Sequence, residues 1–295
     1  CSNEGGANCG TNTITNISKK GIVFLLHPSP LSSHFMQPIM QVFAKLGFIA
    51  VAWEAPGYGD SGKLVNGGKS LTDYVDVLSL FIDNVIVNVT KSLNGQSAES
   101  SLIEKSLNHN SIKDNVVLYG NATGAQIAIE FSKKFPEKCS RLLLENVALF
   151  EDEERTAFKQ HYFPDLSPKA DGNHLTLTWQ VVSQLFQYFP WYDTSEACKL
   201  STPMPPFEVL QVTFNDYLKA GATYANAYIA ALENETPEQI KAVISKTDVV
   251  IWQDSILFDY SQRLWQVALP DNIRLFGVDS GIENRFNALA KLIDQ

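Results

Sequence analysis

Five residues, Gly120-Asn121-Ala122-Thr123-Gly124, constrain this chain more than any other segment. The apolar run before them, Val116-Val117-Leu118-Tyr119, reads as a buried strand, and Ala125 to Phe131 after them carries apolar residues at helical spacing. A strand that passes into a helix through a glycine-bracketed turn is the setting in which Gly-x-Ser-x-Gly raises a catalytic nucleophile. The glycines permit the strained turn and let the helix pack close to the strand. Here the central residue is Ala122, and a methyl group cannot attack a carbonyl carbon. The segment predicts a fold while arguing against the chemistry that such a turn serves.

Neighbouring segments agree with it. Gly21 to Leu26 reads as a buried strand running into His27-Pro28-Ser29-Pro30. A helical stretch, Phe35 to Leu46, leads to a second strand, Phe48 to Trp53, and then to Glu54-Ala55-Pro56-Gly57-Tyr58-Gly59-Asp60-Ser61-Gly62. Arg141 to Leu144 is a further strand after the breaker Pro136. Strands alternating with helices imply a mostly parallel sheet covered by helices on both faces, an α/β class. In its His27-Pro28 turn, its Glu54 to Ser61 loop and its residue 120–124 turn, the chain resembles the α/β-hydrolase superfamily over residues 21–150. That resemblance implies an α/β-hydrolase fold with an inserted helical cap, acting on a small ester or related carbonyl compound. Few residues precede the Gly21 strand, so six or seven strands are expected.

The 295 residues are 45% hydrophobic and 19% charged, which suits one globular unit with an insertion. A net charge of −9 without a basic cluster argues against nucleic acid or a basic membrane-docking face. No apolar run reaches the roughly 20 residues that span a bilayer. No phosphate-cradling loop, Cys-x-x-Cys pair or His-Glu-x-x-His zinc helix is present, so neither a cofactor nor a metal is expected.

The first 14 residues, beginning at Cys1, are small and polar and read as a flexible tether. Two readings stand for Cys1: the lipid-anchored first residue of a mature bacterial lipoprotein, or the edge of a trimmed or processed chain. The first implies a secreted or cell-envelope location, the second leaves a cytoplasmic one. A Cys1–Cys9 disulfide is available to an exported, unmodified chain, whereas Cys139 and Cys198 read as buried free thiols.

The core is expected over 15–150 and 246–295, with the cap over 151–245. Leu175 to Phe189 and Phe207 to Ala231 read as the main cap helices. Most of the cap's aromatics are expected to pack it onto the core, the remainder to line an apolar ligand pocket. Asp248 to Trp252 and Ile273 to Val278 are the late strands, and a helix from Ile282 to Ile293 closes the chain.

In this fold the triad runs nucleophile, acid, histidine. Asp254, two residues past Trp252, stands where the acid is expected, with Asp259 as the fallback and a capping role as the plainer alternative. The histidine belongs in the loop Asp279-Ser280-Gly281, which has none. The five histidines are His27, His34, His109, His161 and His174. Ser-His-Asp catalysis is therefore expected to be absent. Thr123-Gly124-Ala125, Glu153-Glu154-Arg155 and Asp171 to Leu175 resemble a poorly characterised hydrolase subgroup that often carries histidine at the turn's centre. This resemblance makes His174 a site candidate, beside the plainer reading of a structural cap histidine.

A binding function survives the loss of the nucleophile. The amide of Thr123 opens a helix, where the dipole favours negative charge, and the amide of Ser29 is the natural second donor because Pro28 has none. Together they form an oxyanion-type cradle. Three functions follow: a hydrolase lineage, a non-hydrolytic binding protein for an apolar carbonyl ligand, or an acid–base enzyme using His174 or Asp254.

Overall fold

In the computed structural model the described residues are 20–95 and 115–295. The tether, Cys1, Cys9 and His109 lie outside them. Six parallel strands form one sheet in the order β2-β1-β3-β4-β5-β6. They are β1 (Ile22–Leu26), β2 (Ile49–Trp53), β3 (Val116–Asn121), β4 (Arg141–Glu145), β5 (Lys246–Trp252) and β6 (Ile273–Val278). Alternate side chains of one strand point to opposite faces. Phe24, Leu26, Leu118 and Leu144 accordingly enter one core, and Val23, Leu25, Val117 and Leu143 the other. Helices α1 (Gln37–Lys45) and, at the chain's end, α10 (Ile282–Ile293) cover the second core through Ile39, Phe43, Leu289 and Leu292.

The opposite face is covered by α2 (Leu71–Gly95) and α3 (Thr123–Lys134). The 25-residue α2 is not among the elements expected from sequence, although Leu71, Val75, Leu78, Ile82 and Ile86 do fall at helical spacing and are buried. No helix among the described residues is long and apolar enough to cross a membrane.

Between β4 and β5 the chain inserts α4 (Asp152–His161), α5 (Asn173–Leu185), α6 (Phe207–Ala220), α7 (Asn226–Asn234) and α8 (Pro237–Lys241). A single helix over Phe207 to Ala231 is not what forms. Gly221, at φ 59°, turns the chain out of α6, and a short 3-10 turn, Gly221–Thr223, precedes α7. Helix α5 stops four residues short of Phe189, because Tyr188 pairs with Lys199 and the Phe189 N–H donates to the Cys198 carbonyl at 2.8 Å. The last short helix is α9 (Phe258–Ser261), after β5. Cys139 is a buried free thiol whose pKa burial pushes up to about 12, and Cys198 is free and half-buried.

Two features fix the floor of the inserted layer. Gly124, in the first turn of α3, lies against the end of β1, where a Cβ would be driven into the Leu26 carbonyl. His27, just past β1, is buried and bridged on both ring nitrogens: Nδ1 contacts the Pro28 carbonyl at 3.0 Å, and Nε2 accepts the Ala55 N–H at 3.0 Å. This pattern requires the neutral ring with its proton on Nδ1. His27 thus joins the loop after β1 to the loop after β2.

Two tests follow. Gly124→Ala should cost about 1–3 kcal/mol or more of stability, because backbone must move to admit the methyl; a variant with an unchanged urea midpoint would refute the close approach. Burial lowers the His27 pKa below its ordinary 6.5, against weaker raising effects of the Pro28 carbonyl and Glu54. The folded chain therefore binds this proton less readily than the unfolded one. Stability is fully present above the unfolded value and is lost as pH falls from there through the folded one. The thermal midpoint should drop on acidification below about 6.5, and His27→Gln should flatten that slope. Equal slopes would exclude His27 as the titrating group.

Candidate functional site

Ala122 joins β3 to α3 with φ 49° and ψ −115°, a left-handed conformation that a residue with a Cβ adopts at a cost of about 1–3 kcal/mol. Its surroundings over-determine it. The Ala122 N–H donates to the Glu145 carbonyl at 3.1 Å, and its own carbonyl accepts the N–H groups of Ala125 and Gln126 at 2.8 and 3.1 Å. The backbone that would present a nucleophile is intact, and its side chain is a methyl.

That methyl lies on the wall of a cavity of about 380 Å³ between the sheet's carboxyl edge and the inserted helices. Nine aromatic side chains line it, including Phe186, Tyr217, Tyr228 and Trp252. Ser29 lines it too, and Thr123 is buried beside Ala122. Among the described residues, neither the Ser29 nor the Thr123 amide donates to a protein acceptor. The Thr123 hydroxyl is likewise buried without a partner. Two free amides beside a strained turn at a helix N-terminus can hold a carbonyl oxygen.

Asp254, in the loop after β5, also lines the cavity. Its Oδ2 accepts the Gly281 N–H at 2.7 Å. Gly281 sits in the loop after β6, where the histidine was expected, so a backbone amide provides the acid's hydrogen bond, and among the described residues no imidazole stands between Asp254 and Ala122. His174 is not on the wall: its Nδ1 accepts the Lys169 N–H at 3.1 Å and clamps the loop before α5. Asp259 accepts a hydrogen bond from Gln262 at the surface, at 3.0 Å. Among the described residues no histidine lines the cavity.

Several wall residues were not foreseen. Asn146, with φ 57°, follows β4 and donates from Nδ2 to Asn121 Oδ1 at 3.0 Å, while accepting the Ser255 hydroxyl. Arg285 on α10 reaches under the cavity floor, donating from Nε and Nη2 to Glu145 at 2.9 and 2.8 Å. Burial works against the Arg285 charge, but the Glu145 carboxylate outweighs it and holds the pKa above its ordinary value. The Tyr119 hydroxyl donates to the same carboxylate and is kept neutral by burial and by Glu145. Nothing in the sequence marks Arg285, because an arginine on an amphipathic closing helix reads as surface.

Hydrogen bonds beside the cavity latch the inserted layer to the core. Tyr58 Oη donates to the Tyr224 carbonyl and accepts the Ala227 N–H, both at 3.1 Å. Ser32 Oγ donates to Asp216 on α6 at 3.0 Å, and Ser33 Oγ to Glu54 at 3.1 Å. Glu54 also accepts the Asp60 N–H at 2.8 Å, so this residue orders the loop that carries Tyr58. More of the cap aromatics line the cavity than expected: Trp179 packs on Phe207 and Phe214 at 5.6 Å, but Phe163, Phe186, Phe189, Tyr217, Tyr224 and Tyr228 all face it, because the inserted helices roof the cavity.

No protein-family model matches the sequence, and no match was found among curated protein sequences. Solved structures do share the architecture. A carboxylesterase structure from the thaumarchaeon Nitrososphaera gargenis is 13% identical with a TM-score of 0.61, over 94% of this chain and 91% of that one. An esterase from Exiguobacterium antarcticum is 14% identical with a TM-score of 0.58, over 94% and 93%. Epoxide hydrolase I of potato, Solanum tuberosum, is 16% identical with a TM-score of 0.60, over 94% and 92%. Parallel strand order, the strained turn after β3 and this similarity along nearly the whole chain agree: the protein has the α/β-hydrolase fold.

Proposed function

We propose that the protein binds a small, largely apolar molecule carrying a carbonyl group, seated between the inserted helices and the sheet, and does not cleave it through a covalent intermediate at residue 122. One observation carries this reading: the strained turn is preserved with Ala122 at its centre, on the wall of an aromatic cavity that no histidine lines among the described residues. The carbonyl oxygen would take the amides of Ser29 and Thr123, and the apolar remainder the aromatic wall. The esterases and epoxide hydrolases with the same fold support a hydrolase ancestry, an inference by analogy of fold.

A second reading is acid–base chemistry without a nucleophile. Asp254 favours it, as a cavity-lining carboxylate with one oxygen in a protein hydrogen bond among the described residues. His174, whose Nδ1 accepts the Lys169 N–H and which does not line the cavity, supports it less than Asp254 does.

Stopped-flow assay of p-nitrophenyl butyrate hydrolysis, for this chain and Ala122→Ser, tests the proposal. Both should stay at the buffer rate, because a serine there finds no base. In parallel, calorimetric titration with 4-phenyl-2-butanone should show saturable binding that the cavity-filling change Thr213→Trp removes. A burst of nitrophenolate in Ala122→Ser would overturn the non-covalent reading. Absence of binding in the unmodified chain would overturn the ligand site itself.

A further inference from the structure

Charge around the cavity is unevenly balanced. Arg285 is neutralised: two of its nitrogens are given to Glu145, and its guanidinium lies 5.1 Å over the Trp252 ring. Burial raises the pKa of Tyr162, Tyr217 and Tyr228, so these phenols add no charge. Asp254 stands apart. It lines the cavity, makes no ion pair among the described residues, and receives one neutral hydrogen bond from the Gly281 amide.

In a Ser-His-Asp site the buried carboxylate faces an imidazole that becomes cationic during reaction. The chain retains the carboxylate and lacks that partner. Asp254 is half-buried at the cavity wall and meets no cationic side chain among the described residues, so a ligand cation beside it would gain a charge-assisted contact that no protein group supplies. The rest of the wall suits the same ligand. Aromatic rings present a negative face to a cation, and the attraction strengthens as water is excluded. Trp252 already receives one cation in this way from Arg285. A net charge of −9 also favours the approach of positive ligands over negative ones.

We propose that the cavity selects an organic ammonium: an amine-bearing carbonyl compound whose positive nitrogen pairs with Asp254 and packs on the aromatic wall. This rests on the cavity being the ligand site, and it adds the sign of the ligand's charge to that reading. The ligand's nitrogen occupies the electrostatic role that the missing imidazolium would have held, and a carboxylate ligand is disfavoured.

Three probes of one shape separate the possibilities: 4-phenylbutylammonium, 4-phenylbutanol and 4-phenylbutyrate, each titrated calorimetrically at neutral pH. The ammonium should bind at least about tenfold more tightly than the carboxylate, with the alcohol between them. Asp254→Asn keeps an oxygen to accept the Gly281 N–H and should bring ammonium and alcohol to within about twofold of each other, whereas Asp254→Glu should preserve the ammonium preference. Equal binding of ammonium and alcohol, a preference for the carboxylate, or an ammonium preference that survives Asp254→Asn would each overturn the charge assignment and leave the cavity reading standing. Failure of all three probes with folded protein would overturn the cavity reading and this inference together.

Discussion

The rest of the structure depends on one strained peptide unit. At Ala122 the backbone is held left-handed by the carbonyl of Glu145 on β4 and by the first turn of α3. Because α3 begins there, Gly124 must lie against the Leu26 carbonyl, which fixes the helix to the end of β1. The same turn leaves the Thr123 amide, at the helix N-terminus, without an acceptor among the described residues. Packing, the position of the cavity floor and one of its free amide donors thus share a single cause. The strain persists with a methyl at its centre, so the scaffold stabilises it independently of any catalytic group.

Around that turn the molecule is built from polar links that would each be unfavourable alone. Tyr119 and Glu145 are buried, the half-buried Arg285 closes over them, and each satisfies another. Asn121, Asn146 and Ser255 continue the chain of hydrogen bonds along the cavity's edge. Below the sheet's other end, Asp248 is fully buried between Arg141 and Arg274. Such networks are favourable only when every member is paired. Among the described residues, the second oxygen of Asp254 and the amides of Ser29 and Thr123 stand outside these networks at the cavity, which makes them places for a ligand's polar groups.

Much of this was legible beforehand, for identifiable reasons. Strands β1, β3 and β4 are short apolar runs bounded by breakers, and they emerged within one or two residues of their expected limits. The loop from Glu54 to Asp60 was visible as a motif, but its role was not: Tyr58 latches the inserted layer, across more than 160 residues of sequence. Helix ends in that layer were less legible. Gly221 divides a stretch whose apolar spacing runs straight through it, because periodicity reports which side faces inward and not whether the axis continues. His174 was chosen by resemblance, and the fold uses it to hold the Lys169 amide.

The sequence by itself determined the class of fold and the methyl at the turn's centre, since both rest on local patterns: apolar periodicity, glycine spacing and the identity of residue 122. It also placed Asp254 at a loop after a late strand. Only the tertiary structure decided what that aspartate meets. Gly281 is 27 residues away, and its amide comes within 2.7 Å only because β5 and β6 are neighbours in the sheet. Arg285 is brought to Glu145 from 140 residues away in the same manner. Charge balance in a cavity depends on distances through space, and a linear sequence holds those only through the fold it dictates.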